Sequence, residues 1–299
     1  EIGSGLVGSE MCIRDRHSGV PQVLAQQTHR ADGTPRSSIS RFKIQTMKKF
    51  LLSCIALLIS ISGILASETP QETLRYKVLY KWGLIQKQAG NATITLTRIP
   101  DGYKACLYAR SEPWADHFYK LRDTLYTSMR PTDMTPTRYE RVSNENGRYT
   151  HDVVKFTRHA DSVKGESTRL RRPKNSNQTI KTVTKLSAEG VAVDFLSSFY
   201  YLRKIDFDSF LQNQSVSLNI FSGKKKEILT ITYIKKENVK IDNKVYPAIK
   251  LVFRFTSNGR IESSSPLEAW ISDDAQRIPL KVVGQLKIGK IQCFYIPDK

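Results

Sequence analysis

Period-two alternation dominates this chain from residue 74 onward. Leu74, Tyr76, Val78, Tyr80 and Trp82 alternate with Arg75, Lys77 and Lys81. Successive side chains of a strand point to opposite faces, so this spacing predicts a strand with one buried and one wet face. The same rule covers Ile94 and Leu96 against Thr93, Thr95 and Thr97, and Val216, Leu218 and Ile220 against Ser217 and Asn219. It also covers Ile249, Leu251, Phe253 and Phe255 against Lys250 and Arg254. Turn signals separate such segments: Pro100-Asp101-Gly102, Asn146-Gly147, Ser222-Gly223-Lys224, Asp242-Asn243, Asn258-Gly259 and Gly289-Lys290.

One segment departs from this rule. Val193, Leu196, Phe199, Tyr200 and Leu202 recur at three and four residues, a helical stripe. Asp194 is placed to cap its N-terminus, and Arg203-Lys204 suit the negative end of the helix dipole. The expected fold is therefore all-β and mainly antiparallel, a strongly curved sheet of roughly a dozen strands forming a barrel or half-barrel. One short helix, about residues 193–204, plugs or covers the concave side.

The N-terminal part reads differently. Met47-Lys48-Lys49 precedes a short apolar run from Phe50 to Leu65 and the small residues Ala66 and Ser67, the parts of a secretory signal. The run is shorter than the ~20 apolar residues of a spanning helix, so it predicts export with no transmembrane span in the mature form. Cys54 after Leu51-Leu52-Ser53 resembles a lipoprotein box but stands too close to Lys49. Ahead of it, Gly8-Ser9-Glu10-Met11-Cys12-Ile13-Arg14-Asp15-Arg16 resembles a translated sequencing adaptor, and residues 17–46 show neither helical nor strand periodicity. Residues 1–46 are expected to be disordered upstream or adaptor translation. Gly3-Ser4-Gly5-Leu6-Val7-Gly8 spells a dinucleotide fingerprint but follows no strand. The expected organisation is a signal peptide over 47–66 and one exported β domain over 67–299, periplasmic or associated with the outer envelope.

Charge enters next. The 299 residues hold 47 Lys+Arg and 28 Asp+Glu, a net of +19 that invites a nucleic-acid reading. From residue 68 on there are 39 and 24, a net of +15. The basic runs are Arg169, Arg171, Arg172 and Lys174; Lys224 to Lys226; and Lys235, Lys236 and Lys240. They lie in or beside predicted turns, which favours a solvated surface facing anionic envelope polymers over a nucleic-acid partner. Hydrophobic residues at 39% exclude a wholly disordered class.

Candidate chemistry is sparse. His117, His151 and His159 form no ligand pair, and no G-x-S-x-G, Walker loop or S-x-x-K occurs, so no catalytic residue, metal or cofactor is expected. Asp273-Asp274 reads as a turn initiator, with Arg277 across the turn and Pro279 opening the next strand. Cys106 shares a polar face with Lys104, Tyr108 and Arg110, and Cys293 shares a face with Ile291 and Tyr295, which argues against a disulfide. Asp194, Tyr200, Arg203, Trp82 and Trp270 are the candidate ligand contacts of a concave aromatic face. Asp194 and Arg203 also have structural readings, as a cap and as a charge docked on a strand end.

Two segments carry a family resemblance. Asp194-Phe195-Leu196-Ser197-Ser198-Phe199-Tyr200-Tyr201-Leu202-Arg203 resembles the "D-x-L-S-x-x-Y-x-L-R" helix of the bacterial exported family termed domain of unknown function 3108. The stretch from Leu267-Glu268-Ala269-Trp270-Ile271-Ser272-Asp273-Asp274 to Arg277-Ile278-Pro279-Leu280 is similar to that family's "W-[IL]-S-D-D-x-x-R-x-P" hairpin, with Gly284 to Gly289 as its return strand. The resemblance implies a secreted, envelope-associated β protein. More distantly, the hairpin resembles the half-barrels of periplasmic lipoprotein carriers. The expected function is non-enzymatic: holding or carrying a hydrophobic or lipid-like ligand in the curved sheet. The alternatives are an envelope structural or assembly factor acting through its surface, and a hydrolase on envelope glycans or lipids.

Overall fold

A computed structural model describes residues 71–257, 260–261 and 266–297. The signal segment, the residues before it and the Asn258-Gly259 turn lie outside the described residues. The chain first runs as a meander: β1 (Glu72–Trp82), β2 (Ile85–Ile99), β3 (Gly102–Ser111), helix α1 (Pro113–Tyr119), β4 (Leu121–Met129), β5 (Pro136–Glu145), β6 (Arg148–Arg158), β7 (Ser162–Arg172) and β8 (Ile180–Glu189). Then follow β9 (Ala192–Val193), helix α2 (Phe195–Leu202), a 3₁₀ turn (Phe207–Ser209) and β10 (Ser215–Phe221). The last strands are β11 (Lys226–Ile241), β12 (Lys244–Ser257), β13 (Arg260–Ile261), β14 (Leu267–Ser272), β15 (Pro279–Gln285) and β16 (Lys290–Ile296).

All of them join one sheet, in the order β8-β7-β6-β5-β4-β3-β2-β1-β16-β15-β14-β12-β11-β10-β9, with β13 added beside β12. Every pairing is antiparallel except β9 with β10. The pairing of β1 with β16 joins the two ends of the described chain. Register shifts at Val78/Leu79, Ser128/Met129, Tyr233/Lys235 and Trp270/Ile271 bend the strands, as bulges do.

The sheet curls until its two ends nearly meet. The Asn219 side chain donates to the carbonyls of Glu189 and Val191, and Ser167 Oγ donates to the Gly223 carbonyl. Phe221 stacks on Phe156 with ring centroids 5.4 Å apart. A Cβ on Gly223 would stand 2.7 Å from Asp152 Cβ, so only glycine lets the β10–β11 turn settle on β6.

The helical stripe becomes α2, and α2 lies inside the barrel. Leu196 and Tyr200 pack with Leu74, Leu107, Leu125, Tyr139 and Val154 of the meander. Leu202 packs with Ile231, Ile249, Leu251 and Ile271 of the opposite wall. Outside the barrel a second apolar layer forms where the long β11–β12 hairpin overlies β14 and β15. It comprises Val239, Ile241, Ala248, Trp270 and Val283, and Lys77 Nζ donates to Asp242 at 2.6 Å.

Three expectations need correction. A second helix, α1, lies between β3 and β4; at seven residues and with none of them buried, it carries no readable stripe. Arg169 is not a solvated turn residue: its guanidinium pairs inside with Asp152, Nε to Oδ1 at 2.8 Å. Lys235 and Lys236 sit within β11 at its bulge, and Lys236 is bound to Asp208 and Asp273.

Candidate functional site

The interior has a polar wall. β4, β5, β6 and β7 set Leu125, Arg141, Asp152 and Arg169 opposite one another in one row. The alternation that buries Leu125, Tyr139 and Val154 therefore also buries Asp123, Arg141 and Asp152. Arg141 Nε and Nη2 donate to both oxygens of Asp123, the shortest at 2.7 Å, and Nη2 also reaches Glu145 at 2.6 Å and Ser143 Oγ at 3.2 Å. Burial pushes the Asp123 carboxyl up to about 6 against the pull of Arg141, and it raises Asp152 against the pull of Arg169. The charges of this wall are thus paired as ions, Arg141 with Asp123 and Glu145, and Arg169 with Asp152.

Below this wall lies the plug. Asp194, fully buried, caps α2: its carboxylate accepts from the backbone N–H groups of Leu196 at 2.8 Å and Ser197 at 2.9 Å. It also accepts from Ser197 Oγ at 2.8 Å and Thr127 Oγ1 at 2.7 Å, while Ser197 Oγ accepts from the Asp194 N–H. Burial raises this carboxyl against those hydrogen bonds. Asp194 is thus a structural cap with a second anchor on β4.

Arg203 ends the helix. Its Nη1 donates to both Glu72 oxygens at 2.9 and 3.1 Å, which fixes the plug to the start of β1. The guanidinium lies 4.5 Å over Phe199 and 5.2 Å over Tyr200. Among the described residues its Nε and Nη2 find no hydrogen-bond partner, nor do the buried hydroxyls of Tyr76, Tyr139 and Tyr200. Burial raises the Tyr76 and Tyr200 phenols well above the usual value. Two unmatched hydroxyls, of Tyr76 and Tyr200, and one guanidinium edge thus lie buried at the end of α2.

The five candidate contacts do not form one site. Asp194, Tyr200 and Arg203 share α2. Trp270 lies in the outer layer: Lys250 and Lys281 stand 4.8 and 4.3 Å over its ring, and its Nε1–H donates to Glu237 at 2.6 Å. Burial and the charge of Lys290 lower the Lys281 pKa. Trp82 is 56% exposed at the end of β1. Both were expected on the concave face; the curl of the sheet puts β14's Trp270 on the convex side and leaves Trp82 at a tip. Tyr76 and Glu72 complete the Arg203 cluster, and only Tyr76 carries a sequence signal, as one of several alternating aromatics.

The hollow beside the plug, lined by Arg130, Thr135, Phe156, Arg158, Val163 and Ala192 among others, holds about 70 Å³. A second, on the outer face by Lys236, Glu237, Pro247 and Asp273, holds about 250 Å³. Small-molecule sites run to ~300–1,000 Å³. Cys106 and Cys293 are not joined in a disulfide, and burial holds the Cys293 thiol up at about 11. Asp274 Oδ1 accepts from the Gln276 and Arg277 N–H groups and from Ser272 Oγ, and Arg277 reaches back to Asp273, the turn role expected of this pair.

Among solved structures, the chain is similar to a beta-barrel-like protein of domain of unknown function DUF1849 from Brucella abortus. That likeness has a TM-score of 0.47 and 9% identity, and covers 75% of this chain and 95% of the other. No curated protein matches. The model of the protein family of unknown function DUF3108 matches residues 75–294, which spans every strand from β2 to β15 and both halves of the barrel. With the capped helix and the Trp270–Pro279 hairpin both inside that match, the chain belongs to the DUF3108 family.

Proposed function

We propose that this chain is a non-enzymatic, exported envelope protein that acts through its outer surface, with the barrel interior serving as its structural core. One observation carries the reading: α2 occupies the interior and is fastened there at both ends, by Asp194 to Thr127 and by Arg203 to Glu72. A hollow of about 70 Å³ beside it is too small for an acyl chain. The signal-like segment ahead of the barrel supports export.

A carrier reading has its own support in the unmatched Tyr76 and Tyr200 hydroxyls and the free edge of Arg203. It requires α2 to leave its seat, which breaks both fastenings. Native mass spectrometry and organic extraction of the natively purified protein separate the two. The surface reading expects the mass of the chain alone; lipid recovered in stoichiometric amount overturns it in favour of a carrier.

A further inference from the structure

The β1–β2 hairpin outruns its neighbour β3. Ser111, the last residue of β3, pairs with Gly90, while β2 continues back to Ile85 at the turn. That overhang projects roughly 17 Å at the usual rise per strand residue. At its end stand Trp82, Leu84 and Ile85, exposed by 56%, 104% and 59%, and the β15–β16 turn adds Ile288 at 63%. The two turns touch: Tyr80 Oη donates to the Ile288 carbonyl at 3.3 Å, and a Cβ on Gly289 would stand 2.4 Å from the Lys81 carbonyl oxygen.

Lysines bracket these apolar side chains. No Asp or Glu occurs between Glu72 and Asp101 or between Asp274 and Asp298, stretches that hold five and four Lys+Arg. Lys81 and Lys290 stand directly opposite each other, a like-charge pair that stays unfavourable until an anion joins it. Lys87 lies 4.4 Å over the Trp114 ring of α1, where Phe118 is 81% exposed. The carboxylates that meet this hairpin do so back from the tip, Glu112 at Gln88 and Asn91 and Asp242 at Lys77.

Here the apolar groups crown projecting turns, with flexible ammonium groups around them and the one carboxylate of the two hairpins, Glu72, at the far end of β1 and bound to Arg203. That is the arrangement of an interfacial anchor: Trp at headgroup depth, Leu and Ile at the acyl boundary, and Lys stems reaching back to phosphates. We infer that the β1–β2 tip, together with the β15–β16 turn, docks the protein on a bilayer of anionic phospholipid. The inference rests on the reading that the protein works through its surface.

The test uses the full chain and vesicles of equimolar phosphatidylglycerol and phosphatidylcholine, with phosphatidylcholine alone as the control. Leu84→Ser combined with Ile85→Ser is expected to weaken co-sedimentation by about tenfold or more. Lys81→Gln combined with Lys290→Gln is expected to weaken it about tenfold on anionic vesicles and to leave the neutral ones unchanged. Brominated acyl chains should quench tryptophan emission in the parent and much less in Trp82→Phe. That readout belongs to the tip whatever the Phe50–Leu65 stretch contributes. Equal quenching in parent and Trp82→Phe, or equal sedimentation of the Leu84→Ser/Ile85→Ser variant, overturns the proposal; a protein cross-linked to the tip of such a variant-insensitive chain would then be its occupant. Failure here leaves the mass of the chain alone unchanged, whereas stoichiometric extracted lipid removes the surface reading whatever the vesicles do.

Discussion

The wall formed by β4–β7 turns Asp123, Arg141 and Asp152 into the barrel, each at most 3% exposed. The wall that faces it across α2 turns Ile231, Ile249, Leu251 and Ile271 inward, all fully buried. Both are equally dry, yet they are held by opposite terms. The apolar wall gains from every side chain removed from water, about 1.5–3 kcal/mol for each large one. The ionic wall pays desolvation for each charge and recovers it only while the set is complete. One wall therefore tolerates partial loss and the other does not.

The largest expected effect follows from breaking the ionic set. Arg141→Ala leaves the Asp123 and Glu145 carboxylates without their shared guanidinium and is expected to destabilise by about 3–5 kcal/mol in denaturant unfolding. Leu251→Ala in the apolar wall is expected to lose about 3 kcal/mol, the transfer loss plus the cavity left behind. The comparison sharpens in the repair. Asp123→Leu combined with Arg141→Met should recover most of the Arg141→Ala loss, because no charge of that pair remains buried. If the double variant is as unstable as Arg141→Ala, the wall is held by shape and not by charge pairing.

A smaller effect is expected at the seam where the walls meet. A Cβ on Gly165 would stand 2.6 Å from Phe221 Cδ2 and 3.3 Å from Leu186 Cβ, so Gly165→Ala pushes β10 off β7. The expected loss is about 1–3 kcal/mol, as for other overpacked sites. Phe221→Leu makes room for that methyl group and should couple favourably with it in a double-mutant cycle. Additive losses would mean that the seam is not closed by this contact.

The same contrast explains what could be read from the chain. Leu74, Tyr76, Ile94 and Leu96 alternate with polar residues and are indeed the buried set, because an apolar inner face is what period two reports. In β4–β7 the buried face carries Asp123, Arg141 and Asp152, so hydropathy alternation has nothing to detect, and Arg169 reads as one more surface cation. The helix α2 was legible from its stripe and from Asp194, whose capping depends on residues two and three positions away. The Arg203–Glu72 contact was not: its partners are 131 residues apart, and only β-sheet closure brings them together. For Trp82 and Trp270 alternation predicts a shared face along each strand. It does not predict which face of a curled sheet is concave, and that is why one became a tip and the other part of the outer layer.

The smallest effect is a titration, and its sign is set by the ionic wall. Burial holds the folded Asp123 carboxyl at about 6, above its ordinary 3.8, despite the guanidinium beside it. Within that window the folded chain binds more protons than the unfolded chain, so the contribution of Asp123 rises as pH falls from about 6 toward 3.8. It is fully present below the ordinary value and is lost again as pH rises through about 6. Asp152 and Asp194, also raised by burial, act in the same direction. Asp133, in the β4–β5 turn, acts in the opposite one. Partial burial raises it, but hydrogen bonds from Thr135 and Arg130 outweigh that and hold its carboxyl at about 2, so its contribution is present above the ordinary value and lost as pH falls through about 2. Denaturant midpoints measured from neutral pH downward should therefore show a wall-dependent rise before the acid loss. Asp123→Asn should flatten the rise and leave the acid limb in place. A slope unchanged by Asp123→Asn would show that the guanidinium of Arg141, and not desolvation, governs this carboxylate, and the two walls would then differ in composition but not in what each pays for being dry.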